Sequence, residues 1–121
     1  LAVSRDGRFV LSGMPGDSGA AVYPVDGGAP HSIPGVRRGE AQVSFSEDGR
    51  FIFVMDWLGI PARIYRIEIA TGRRTLWKSI APPDPAGVPV IYSPLLTRDG
   101  QSYVYSYGRW LSTLYIVDGL H

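Results

Sequence analysis

Short apolar stretches, rich in β-branched and aromatic side chains, recur along this chain and are separated by Asp-Gly, Gly-Gly or Thr-Gly pairs. That pattern predicts strands joined by tight turns. It also repeats. VSRDGRFVLS (3–12), FSEDGRFIFVM (45–55) and LTRDGQSYVYS (96–106) share one order: apolar, Ser or Thr, charged, Asp-Gly, polar, then a strand. The aspartates Asp6, Asp48 and Asp99 lie 42 and 51 residues apart, and the longer interval contains the proline-rich stretch IAPPDPAGVP at 80–89. A second landmark keeps register, because Tyr23, Tyr65 and Tyr115 follow those aspartates by 17, 17 and 16 residues.

Within the second copy the pattern resolves into four strands, at 42–46, 50–55, 63–69 and 74–80. Asp48-Gly49 is expected as a two-residue hairpin between the first two, with Asp6-Gly7 and Asp99-Gly100 playing the same part. Second strands such as Phe51-Ile52-Phe53-Val54-Met55 are apolar on successive residues, whereas a sheet with one wet face alternates. Both faces of each sheet should therefore be covered. A four-strand meander of this length, repeated and covered on both sides, predicts an all-β chain built as a β-propeller fragment of about three four-stranded antiparallel blades. The divisions fall at 1–41, 42–90 and 91–121. The alternative is a two-layer β-sandwich, which would not repeat its landmarks.

Two local expectations follow. Pro24, inside the third strand of the first copy, cannot donate to a ladder and should mark a bulge or bend. The third copy has strands at 91–96, 102–107 and 113–118 and no fourth, so the last blade lacks its outer strand. Three blades cannot close a ring of typically 4 to 8. The chain is thus expected to be the C-terminal part of a larger propeller, needing the rest for closure and prone to association by itself.

Composition narrows the class. Of 121 residues, 45% are hydrophobic, 15 are Gly and 10 are Pro, which is turn-rich yet too apolar for a disordered segment. The formal net charge of +1 argues against a nucleic-acid footprint. With no cysteine, disulfide frameworks and thiolate zinc sites are excluded, while compartment stays open. The longest apolar run, Phe51 to Met55, is far short of a membrane span. No signal-peptide pattern opens the chain, and a first residue other than Met leads us to expect a processed or cut N-terminus.

The three units, each followed by a Tyr-containing strand and a Gly turn, resemble the WD40-like repeat of TolB-type β-propellers. Arg5, Glu47 and Arg98 stand where that repeat often has Pro. The final stretch LLTRDGQSYVYSYGRWLSTLYIVDGLH is similar to the closing segment of bacterial multidomain proteins that join a serine/threonine protein kinase domain to a TolB-like propeller. The resemblance implies a recognition ring on the extracytoplasmic side of a membrane-anchored signalling protein. It brings no kinase chemistry, because Gly follows Asp6 and Asp99 and no downstream Asn or Asp-Phe-Gly appears.

Other chemistry is thin. Gly16-Asp17-Ser18-Gly19 is similar to a protease nucleophile loop, but the two histidines, His31 and His121, both follow Ser18, so a flexible link is the expected reading. The acidic residues lack the spacing of a calcium loop, and no cofactor or metal is expected. Arg73-Arg74 reads as part of a solvated outer strand. In a meander, the loops between second and third strands and between units share one end. There the chain places Trp57, Arg109 and Trp110, with Arg37 and Arg38 in the link between the first two units. Trp and Arg are the side chains enriched at binding hot spots, so these five are the candidate partner-binding residues. Packing of Trp57 and Trp110 over neighbouring blades is an equal alternative. The function expected is a non-catalytic module that recognises a protein, peptide or small ligand. An accessory propeller of a prolyl-oligopeptidase-like hydrolase and a periplasmic TolB-like envelope protein are the alternatives.

Overall fold

The structure, a computed structural model, describes every residue except 14–18, 57–58, 85, 89, 93, 98, 100 and 120–121. Trp57, the Gly16-Asp17-Ser18 sequence, Arg98 and His121 therefore lie outside the described residues. The described chain is all-β, without helices. Strands β1 (Ala2–Val3), β2 (Phe9–Gly13), β3 (Ala20–Pro24) and β4 (His31–Ile33) form one antiparallel sheet in chain order. Strands β5 (Ala41–Phe45), β6 (Phe51–Asp56), β7 (Ala62–Glu68) and β8 (Arg74–Ile80) form a second in the same order. These bounds lie within a residue or so of those expected for the second copy.

The Ser/Thr-x-Asp-Gly sequence builds its turn by a hydrogen-bond relay. The Ser4 hydroxyl donates to Asp6 Oδ1 (2.6 Å), which also accepts the Arg8 N–H (3.0 Å), while Ser4 Oγ accepts the Phe9 N–H (3.0 Å). Ser46, Asp48, Arg50 and Phe51 repeat it at 2.7, 3.0 and 3.0 Å, and Thr97, Asp99, Gln101 and Ser102 do so at 2.6, 2.9 and 3.0 Å. A hydroxyl is needed to both accept and donate, and a carboxylate to accept twice. The hairpin is longer than expected, however. Ser4 N–H donates to Phe9 O and Gly7 N–H to Ser4 O, leaving four residues in the loop, with Gly7 (φ 73°) closing the turn. Asp-Gly thus occupies the end of the turn rather than its two central positions.

The expected bulge at Pro24 is also absent. Phe9 to Gly13 pair with Pro24 to Ala20 without a shift. Val25 N–H bonds Arg8 O, so the missing N–H of Pro24 would have pointed away from β2, beyond the end of the β4 ladder. The shifts fall in the second sheet, between Gln42 and Ser44 and at Trp77 opposite Ile64 and Tyr65.

Successive residues of β6 serve two cores. Ile52 and Val54, with Ile67, pack against Leu11, Ala20, Val22 and Ile33 of the first sheet. Phe53 and Met55, with Ala62, Ile64 and Ile80, pack the other way, against Ile91 and the half-buried Leu96, Tyr103 and Tyr105. The second sheet is therefore covered on both faces, as its unbroken apolar strand requires. Each fully buried Leu, Ile, Val or Met among them contributes about 1.5–3 kcal/mol relative to exposure.

The third unit is less complete than expected. Strands β9 (Val90–Ile91) and β12 (Tyr107–Gly108) pair, as do β10 (Leu95–Leu96) and β11 (Tyr103–Val104), and Tyr92 N–H to Ser106 O (2.9 Å) joins the two pieces into one interrupted hairpin. Residues 109–119 form no strand, and Leu111, Leu114, Tyr115 and Ile116 are all at least 80% exposed. The strand expected at 113–118 is thus corrected: this unit is a hairpin, not a three-stranded blade. Tyr23 and Tyr65 sit in β3 and β7, but Tyr115 has no such place. An apolar β-branched stretch reads alike whether or not a neighbour is present to pair with it. The first strands of the three units lie together, β1 beside β5 and β5 beside β10.

Candidate functional site

The link between the first two sheets is where Arg37 and Arg38 were expected to face a partner. Both are exposed. The link itself is pinned. Glu40 takes two bonds from Arg74, Nη2 to Oε1 at 2.5 Å and Nη1 to Oε2 at 2.9 Å, and its Oε2 also accepts the Arg37 N–H at 2.7 Å. Arg74 Nη1 further donates to Gly35 O (2.5 Å), and its guanidinium lies 4.3 Å from the centre of the Tyr65 ring. The ion pair is largely buried and holds the Arg74 guanidinium above its ordinary pKa, chiefly through the hydrogen bonds it donates to Glu40. Arg74 is thus a clamp between two units, not the solvated residue its sequence context suggested.

Arg109 is likewise occupied. Its Nη2 donates to Asp84 O (2.6 Å) and its Nη1 lies 3.6 Å from Asp84 Oδ2, so it fastens the proline-rich connection to the third hairpin. Trp110 differs. Its N–H bonds Gly87 O (2.8 Å), but the residue is 78% exposed, so it does not fold over a neighbouring sheet. Of the five candidates, the structure leaves Trp110, Arg37 and Arg38 on the surface, ties Arg109 to its own chain, and does not describe Trp57.

Two concavities lie at the opposite end, among the Ser/Thr-x-Asp-Gly turns. A cleft of about 560 Å³ opens between the first two sheets. Phe9, Val22, Phe45 and Ile69 form its apolar floor, and Arg5, Asp6, His31, Glu47 and Asp48 its rim. Arg5 and Glu47 occupy the same position in successive turns and pair across the opening. The Asp6 and Asp48 carboxyls are held below the ordinary aspartate range, first by the hydrogen bonds from Ser4 and Ser46 and then by the Arg8 and Arg50 N–H groups. A further opening of about 650 Å³ lies between the second sheet and the third unit, reaching Arg66, Trp77, Leu96 and Asp99. The aromatic run Phe53, Trp77, Tyr103, Tyr105 and Tyr107 crosses this interface, with successive ring centres 5.1 to 6.3 Å apart.

The sequence reading missed the cleft because its walls come from turns 42 residues apart. A usable sign was present: the variable position of the repeated turn carries opposite charges, Arg5 and Glu47, in adjacent units. Among the described residues no group of three or more His, Asp or Glu side chains could hold a metal ion. No described helix is long and apolar enough to cross a membrane. Compared with protein-family models, with curated proteins and with solved structures, the chain matches none.

Proposed function

We propose that this chain is a piece of a β-propeller acting as a non-catalytic recognition module. The observation that carries the reading is the covering of the second sheet on both faces by the units before and after it, with β1, β5 and β10 side by side. A sandwich layer has one buried face; a blade between neighbours has two. The turn-end cleft and the exposed Trp110 are the surfaces such a scaffold offers. The likeness of its closing stretch to kinase-linked TolB-type propellers supports a place in a bacterial signalling protein, with any phosphoryl transfer in another domain.

The test is a titration of the chain, followed by two-dimensional NMR, with pools of short peptides and metabolites. At least one pool should shift resonances at the cleft or at Trp110 and be recovered chemically unchanged. A pool recovered hydrolysed or otherwise altered overturns the non-catalytic reading, and the absence of any shift overturns the recognition reading.

A further inference from the structure

The turn-end cleft has properties that select among ligands. Its floor of Phe9, Val22, Phe45 and Ile69 favours an apolar body, and about 560 Å³ suits a small organic molecule. Its rim is unbalanced. With His31 counted as neutral, three carboxylates, Asp6, Glu47 and Asp48, face one guanidinium, Arg5. That guanidinium is already engaged by Glu47. Arg8 and Arg50, the other cations of the two turns, lie outside the lining, with their guanidinium groups 5.8 and 5.5 Å from the ring centres of Phe9 and Phe51, and their pull on Asp6 and Asp48 is smaller than that of the turn hydrogen bonds. The Arg5–Glu47 pair is half exposed, so a ligand ion can exchange into it at little expense.

We infer that the cleft between the first two sheets binds a small organic cation, an ammonium or guanidinium group carried on an aromatic or branched apolar body. The apolar part lies on the Phe9, Val22, Phe45 and Ile69 floor. The cation meets the carboxylates of Glu47 and its neighbours at the rim. This assignment rests on the recognition reading and names the ligand chemistry of one of its surfaces. Floor and rim come from both sheets, so the site exists only when consecutive units are stacked.

The probes are tryptamine and indole-3-propionate, which share an apolar ring and differ in the sign of their charge. Isothermal titration of the chain should show saturable binding of tryptamine and at least tenfold weaker binding of the acid. The Glu47→Gln variant removes one rim carboxylate and releases Arg5, without touching a turn hydrogen bond. It should weaken tryptamine about threefold, the size expected of one exposed ion pair, and strengthen the acid. Ile69→Trp, which fills the floor, should abolish both. No tryptamine binding, equal affinity for the two probes, or a Glu47→Gln variant that binds both as the parent does overturns the assignment. If tryptamine fails while a peptide or metabolite pool still shifts Trp110, the cleft assignment falls and the recognition reading stands. If tryptamine is bound but recovered altered, the cleft stands and the non-catalytic reading falls.

Discussion

At the scale of single residues, the aspartates of the repeated turn fix its geometry. Asp48 accepts from the Ser46 hydroxyl and from the Arg50 N–H, and both bonds favour its ionised form. Its folded pKa is therefore depressed, so its contribution to stability is present above the unfolded pKa and is lost as pH falls through the folded value. Thermal melts between about pH 5 and pH 2 should show the chain losing stability, and Asp48→Asn should show a shallower dependence over that range. A second residue-scale prediction separates conformation from contact. Gly49 (φ 73°) has open space where a Cβ would go, whereas at Gly72 (φ 75°) a Cβ would lie 2.7 Å from Pro34 O. Urea unfolding should place Gly49→Ala about 1 kcal/mol below the parent, a cost of backbone conformation alone. Gly72→Ala should lose about 3 kcal/mol or more, because a backbone carbonyl of the preceding unit must also move.

Between elements, the Glu40–Arg74 clamp explains how one sheet is tied to the next. Arg74 leaves β8 to reach the link after β4, bonding Gly35 O and both carboxylate oxygens of Glu40. Arg74→Met leaves a largely buried Glu40 without its counter-ion and should cost about 1–3 kcal/mol in chemical unfolding, with Glu40→Gln in the same chain recovering part of it. Element-scale features divided sharply in how well they could be read. The second sheet was legible because Ile52 to Met55 are apolar without alternation, and only a two-sided environment fits that. The turns were legible as chain reversals at Asp-Gly, but not as four-residue loops, because the hydroxyl two residues before each Asp sets the loop length by reaching the carboxylate. Pro24 misled because the direction of a missing N–H depends on which ladder positions bond, a parity fixed by the partner strand. Arg74 misled because its counter-ion lies 34 residues earlier in the chain. The 113–118 stretch misled because strand propensity is expressed only where an edge pairs with it.

Across the whole molecule, the second sheet packs face against face with the units before and after it, and the two clefts at the turn end are consequences of that packing. They were not legible in any single unit, since floor and rim are each shared between two units. The chain has no cysteine, so one thiol can be introduced at a chosen depth without background. The adjacent residues Val54 and Met55 point into opposite cores and are both fully buried, whereas Leu76 is 53% exposed. The decisive measurement is the rate of thiol labelling under native conditions in Val54→Cys, Met55→Cys and Leu76→Cys. Both β6 positions should label orders of magnitude more slowly than position 76. One slow and one fast position within β6 would mean that the second sheet has a wet face, and would contradict the stacked arrangement.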